Sequence, residues 1–330
     1  MATNASSAWS NLMKHKNLLI SVIGIAVFLL ASVLGSDSVD IILARISIMA
    51  LYAVSLNLQY GYGGMGNLGH TLFFGLGGYG LLVCMAKFGL PFGLSLLLAL
   101  VCLLPLLVLF GYICLWNNDM MQFTFLSMGI ALVIVALFKK WEWIGTDVGI
   151  TYVVCPDWLK PYQNRFFFIF AICLVCIVCI YYLTKTPFIR MLEGSRENDE
   201  RLTFIGVNVR SLRVVAFTLS SFFAIIAGIL FAILNNGAYI KSLDMSMSIQ
   251  ALLMCMIGGT ASFFGPILGA VLVILLTNYL PNITSMSNTV MGIVIMLCMY
   301  FLPDGILNKN GKWQQALLRI LHVPVKETNS

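Results

Sequence analysis

The chain has 330 residues, 60% of them hydrophobic and only 10% charged, where ordinary globular domains carry about 25% charged residues. That composition excludes a water-soluble fold, and the formal net charge of +6 needs no nucleic acid to explain it because its distribution follows membrane orientation. Nine cysteines, an odd number, lie in or beside apolar segments with the exception of Cys155, so a secreted disulfide framework is not the organising principle.

Stretches without Asp, Glu, Lys or Arg run over 17–36, 46–86, 88–118, 120–138, 166–184, 214–240 and 245–303. Each is long enough to cross a bilayer, which takes roughly 20 apolar residues. The pattern predicts an all-α, polytopic membrane helix bundle. Its most economical parse has ten spans: 18–34, 41–60, 67–86, 92–114, 120–138, 166–183, 214–234, 248–259, 265–280 and 289–302. In an eight-span alternative the third and eighth segments do not cross. The first segment follows Lys14 and Lys16 in the manner of a secretory signal, but the spans after it make it a first transmembrane helix. The eighth is short for a crossing and reads as a broken or re-entrant piece packed against protein.

Three regions result: a cytoplasmic segment 1–17, a single transmembrane domain 18–303, and a cytoplasmic tail 304–330. With the amino terminus inside, twelve of the 19 Lys and Arg residues fall on the cytoplasmic side, which places both termini there. The longest polar interruptions are 139–165, outside and rich in Trp and Tyr, and 185–213, inside. The outer one suits a loop lying at the headgroup layer or a lid over a substrate path. The inner one alternates Phe188, Ile189, Leu192, Leu202, Ile205 and Val209 with dense charge, as short surface helices or a docking surface would.

No acidic residue lies in mid-span, so a proton-driven transporter would lack its usual carrier; sodium coupling through backbone carbonyls stays open. Arg45 sits near the outer end of its helix, where a long side chain reaches the interface. His70 is the one titratable candidate inside a span, either a hydrogen-bonded interface residue or a gating contact. A phosphate-cradling G-x-x-x-x-G-K-[ST] loop is absent, so no cofactor is expected and any ATPase is a separate subunit. Nor does a hydrolase motif appear, which weighs against an intramembrane enzyme, as the missing carboxylate weighs against a self-contained transporter or channel. Cys173, Cys176 and Cys179 share a helical face without a His or carboxylate and read as packing residues, not a metal site.

Glycines crowd 60–80, with Gly64, Gly69 and Gly75 among them, and recur in the second half as Gly258, Gly259, Gly265 and Gly269. Such segments serve close helix packing, or break a helix and expose carbonyls. Two of them, in halves of opposite sense, hint at an inverted repeat with a path between. Asn57, Asn67, His70, Thr71 and Gln250 are the candidate polar contacts of that path or of a helix interface.

The runs Leu56-Asn57-Leu58-Gln59-Tyr60-Gly61-Tyr62-Gly63-Gly64 and Leu68-Gly69-His70-Thr71-Leu72-Phe73-Phe74-Gly75, followed in order by Thr186-Pro187-Phe188, Arg196-Glu197-Asn198, Gly206-Val207-Asn208, Gly258-Gly259, Phe264-Gly265-Pro266 and Leu302-Pro303-Asp304-Gly305, resemble the signature of the branched-chain amino acid ABC permease family. The resemblance covers about 41–307. It implies a bacterial inner-membrane subunit that forms the translocation path and pairs with a homologous second permease, two cytoplasmic ATP-binding subunits and an extracytoplasmic substrate-binding protein, in contact with membrane lipid. It also implies that Arg190, Glu193, Arg196, Glu197, Asn198 and Gly206 belong to the element that receives ATPase motion. Glu200, Arg201 and Leu202 depart from the small residues usual after that triplet. Members of the family serve branched-chain amino acids, and others urea or short amides, so the cargo stays open between them.

Overall fold

In lipid a backbone must satisfy its own hydrogen bonds, and an apolar run does so by coiling. The computed structural model describes residues 36–116, 119–146, 148–151, 156–260 and 262–283, with Phe28, Ser32 and single positions between 286 and 306. Ten α-helices are described: α1 Asp37–Tyr60, α2 His70–Ala86, α3 Phe92–Cys114, α4 Met120–Lys140, α5 Tyr162–Leu183, α6 Pro187–Glu197, α7 Asp199–Phe204, α8 Val209–Asn235, α9 Met245–Gly258 and α10 Gly265–Ile283. Eight of them correspond to expected spans and two, α6 and α7, to the 185–213 loop. The expected span 18–34 lies outside the described residues apart from Phe28 and Ser32, and most of the two terminal segments lie outside them too; half the positions of the expected span 289–302 are described, and those are helical.

Five helices, α1, α3, α4, α5 and α8, are long and apolar enough to cross a membrane. At 14 residues α9 is about 21 Å long, short of the ~30 Å hydrocarbon thickness. The chain before it, 236–244, is not α-helical apart from the 3-10 turn Ile240–Leu243. Irregular backbone of this kind survives at membrane depth only inside protein, and Leu243 and Ser242 are indeed buried.

Local chemistry sets the ends. Asp119, Asn198 and Asn208 each accept a backbone N–H at the start of α4, α7 and α8, filling positions that a helix leaves unpaired. Lys139 and Lys140 close α4, where the negative end of the dipole favours cations. Pro187 opens α6, at a position where a missing N–H costs nothing.

Burial ranks the helices. Of the most apolar 18 residues, 72% are buried in α1 and 61% in α8, against 22% in α3 and 17% in α4. So α1 and α8 form the core and pack directly on each other, and α2 packs along α8. Close approach of α2 and α8 depends on Gly77, whose added Cβ would meet the Ile225 carbonyl, and Gly228, whose Cβ would meet that of Phe74. Leu97, Val101, Leu109, Phe125 and Val133 on α3 and α4 are exposed and form an apolar outer belt.

Candidate functional site

The bundle has two ends. The hairpin end carries α6, α7 and the breaks after α1 and α9; the loop end carries 141–161 and the connector 236–244. Each bears one cluster of functional interest, and a polar network lies between them.

At the hairpin end the two glycine-rich breaks meet. Asn57 Nδ2 donates to the Ser262 carbonyl at 3.4 Å, and a Cβ on Gly61 would lie 2.6 Å from the Thr260 carbonyl. Gly258 and Gly265 touch so closely that a Cβ on either would meet the other segment's backbone, as would one on Gly269 against the Met254 carbonyl. Gly69 abuts the Ser127 carbonyl and Gly75 the side chain of Leu243. All seven expected packing glycines except Gly259 are thus crowded by a side chain or backbone. Gly259 itself adopts φ +103, open to glycine and strained for other residues.

The α6–α7 hairpin is tied to this end by two guanidinium groups. Arg196 Nη1 donates to the Gly61 carbonyl at 2.6 Å, one of the carbonyls that α1 leaves open at its end. Gly64, with φ +69, lies against the same side chain, a Cβ there being 2.9 Å from Arg196 Cγ. Arg213 of α8, fully buried, donates to Asp199 Oδ1 at 2.6 Å and to the Ser195 carbonyl at 3.1 Å. Asn198, the residue between the two helices, accepts from Arg201 N. Burial pushes the Tyr62 phenol up to about 12, with the Glu193 carboxylate adding to it, so the phenol stays protonated. Arg190, Glu193 and Glu197 face outward, and Gly206 at φ +84 turns the chain after α7. A cavity of about 240 Å³ between Arg196, Arg213, Tyr60, Met120 and Thr260 lies beneath.

The hairpin buries Ile189 and Leu192 as its amphipathic pattern predicts, yet Phe204 and Ile205 at its tip are 88% and 74% exposed. The two exposed residues lie just before the left-handed Gly206 and leave an apolar tip off the bundle.

In mid-bundle, His70 is fully buried and both ring nitrogens are engaged. Gln59 Nε2, able only to donate, lies 3.1 Å from Nδ1, and Ser55 Oγ lies 3.1 Å from Nε2. Nδ1 therefore accepts and the proton sits on Nε2, an assignment made from the network. Asn67 donates to Gln59 Oε1 at 3.5 Å. Tyr52 stacks on the imidazole at 5.2 Å between centroids. Thr71 Oγ1 donates to the Ser242 and Asp244 carbonyls at 3.0 and 3.2 Å, and its N–H to Ser248 Oγ at 2.8 Å. So Thr71 holds the irregular backbone before α9 in place. These hydrogen bonds join α1, α2, the connector and α9.

Gln250 stands apart from that network. It lines a second cavity, about 280 Å³, in the half of the bundle nearer the loop end, together with Arg45 of α1, Asn235 of α8, Lys241 of the connector and Asn278 of α10. The Ile150 and Ala238 backbones exchange two hydrogen bonds of 3.0 Å, joining the aromatic loop to the connector. Arg165, buried, donates to the Leu159 and Leu234 carbonyls at 3.3 Å. At the exposed edge of the loop, the Asp157 carboxyl is held below its ordinary value by a hydrogen bond from Lys160. Lys241, Asn235 and Asn278 were not legible as site residues; the only signal is the polar pair Asn235-Asn236 at the end of an apolar run.

Residues 38–301 match the family described as branched-chain amino acid transport system / permease component. The chain belongs to that family. The permease is 24% identical over 288 residues to the high-affinity branched-chain amino acid transport system permease protein LivM of Escherichia coli, covering 79% of this chain and 68% of that protein. It is 25% identical to LivM of Salmonella typhimurium, over 89% of this chain and 75% of that one. It is also 22% identical to the probable branched-chain amino acid transport permease protein LivM of Methanocaldococcus jannaschii, over 82% and 93%. No solved structure matches the permease. Its long apolar helices and these relatives agree on a multi-pass membrane protein of transport.

Proposed function

We propose that this permease forms the translocation path of an ATP-driven importer of branched-chain or related small amino acids, and that separate ATPase subunits drive it through the α6–α7 hairpin. The observation that carries the reading is the combination of an apolar tip, Phe204 and Ile205, standing free of the bundle with two rigid ties running inward from its base, Arg196 to Gly61 and Arg213 to Asp199. A soluble partner gripping the tip would move the α1 terminus and α8, the two most buried long helices.

On this reading the hairpin end is cytoplasmic and the loop end extracytoplasmic, and the bundle crosses the membrane ten times with both termini inside. The domain is one unit, 18–303, whose two glycine-interrupted halves relate as an inverted repeat. A second, homologous permease covers part of the α3–α4 belt, lipid the remainder, and a substrate-binding protein docks on the aromatic loop. The protein supplies the path and no hydrolysis. Alternating access follows if the glycine breaks pivot against each other.

Vesicles containing this chain, its permease partner, the ATPase subunits and the binding protein should accumulate leucine only when ATP is supplied to the hairpin side. Accumulation by this chain alone, without nucleotide-hydrolysing subunits, would reject the reading in favour of a self-contained transporter; urea import with no leucine import would reject the cargo.

A further inference from the structure

The cavity shared by α1, α8, the connector, α9 and α10 has a charge pattern that packing does not explain. Two of its lining residues, Arg45 and Lys241, are cations, and no lining residue is acidic. Arg45 Nε is buried without a hydrogen-bond partner, and among the described residues neither cation has an ion pair. Arg45 is half-buried near the outer end of its helix and Lys241 is exposed at the cavity's mouth, so both charges reach water, but the buried Nε carries a donor whose desolvation costs free energy unless something visits it.

The neutral polar residues add a second pattern. Asn235 Nδ2 donates to the Phe231 carbonyl at 2.8 Å and Asn278 Nδ2 to the Ile274 carbonyl at 2.9 Å. Both amides spend a donor on their own helix, and among the described residues no hydrogen bond uses either Oδ1. Met49, Phe231, Met247 and Ile274 complete the wall. At about 280 Å³ the space is at the lower end of ligand cavities, roughly 300 to 1,000 Å³, and takes a metabolite rather than a peptide.

We propose that this cavity is a recognition station for a small zwitterionic amino acid, with Arg45 and Lys241 taking the carboxylate, the Asn235 and Asn278 amide oxygens taking the ammonium, and the apolar wall taking an aliphatic side chain. The proposal rests on the amino-acid permease reading and places selection partly in this subunit. A neutral amide such as urea offers the two cations nothing to neutralise, so the station favours a carboxylate-bearing cargo over it. An anionic lipid headgroup presents the same oxygen chemistry to the same cations, and the test separates the two.

Uptake of radiolabelled leucine by the full transporter with its binding protein is measured in vesicles of phosphatidylcholine alone and with added phosphatidylglycerol. Arg45→Gln and Lys241→Gln should each lower uptake about tenfold, the scale of a lost charged hydrogen bond, in both lipids. Lys241→Arg should retain most of it, and Asn278→Ala, which keeps both charges, should raise the leucine concentration for half-maximal uptake. Unchanged leucine uptake in both Gln variants would overturn the proposal, as would a loss confined to phosphatidylglycerol vesicles, which would assign the cations to lipid. Failure of the functional reading is distinguishable, because a wild-type transporter that imports urea and no leucine reveals it before any substitution is made.

Discussion

At the scale of single residues, the guanidinium of Arg196 is the most informative group, because a resemblance marks it and geometry gives it a job. Its bond to the Gly61 carbonyl is charge-assisted and worth about 1.5–3 kcal/mol when broken. Arg196→Glu should therefore lower leucine transported per ATP hydrolysed about tenfold, while Arg196→Lys, which keeps a donor for the Gly61 carbonyl, should lower it less. Coupled uptake and hydrolysis assays on the same vesicles decide this, and equal effects of the two would show that the tie to Gly61 is incidental. Glycines give a second residue-scale contrast. Gly258→Ala places a methyl against the Gly265 backbone, which cannot rotate aside, so a loss of about 1–3 kcal/mol is expected, whereas Gly129→Ala meets nothing within 4 Å and should be tolerated. Thermal unfolding in detergent compares them. The spacing of these glycines singled them out. The partner each one touches was not legible there, since Gly69 against Ser127 is a tertiary fact that no local pattern encodes.

For the elements, hydropathy was sufficient for the long helices and for the shortness of α9, because both follow from a length that lipid imposes. It did not reveal what precedes that short helix. Residues 240–243 form a 3-10 turn pinned by Thr71, a hydroxyl that sequence reading could only enrol as a polar candidate. In the hairpin, alternation of apolar and charged residues gave short amphipathic helices, but it did not say which apolar residues would be buried, as Ile189 and Leu192 are, and which exposed, as Phe204 and Ile205 are. Phe204→Ser combined with Ile205→Ser should leave the folded bundle intact and abolish copurification with the ATPase subunits; retention of those subunits would remove the tip from the interface. Asp199→Ala should act differently. It strips the counterion from buried Arg213, costing about 2 kcal/mol, and should make the hairpin susceptible to proteolysis at temperatures where the wild type resists.

Across the whole molecule, the sidedness inferred from basic residues can be tested directly. In a background with Cys155 of the outer loop and the exposed Cys102 and Cys179 replaced by serine, an impermeant thiol reagent added to intact cells should label Trp158→Cys and spare Phe204→Cys; the converse pattern would invert the assigned orientation. Family membership was readable from the ordered motifs alone, and several of their glycines, such as Gly61, Gly258 and Gly265, lie where backbone meets backbone. The arrangement at the opposite end was not, and the joint between Ile150 and Ala238 shows the reason. Both of its hydrogen bonds run main chain to main chain, so almost any side chain is compatible with it and only proline is barred. A protein landing on the aromatic loop thus holds a handle on the strip of chain that carries Lys241. News of an arriving cargo carrier could pass inward along that handle even as the amino acids at the hinge drift freely over evolutionary time.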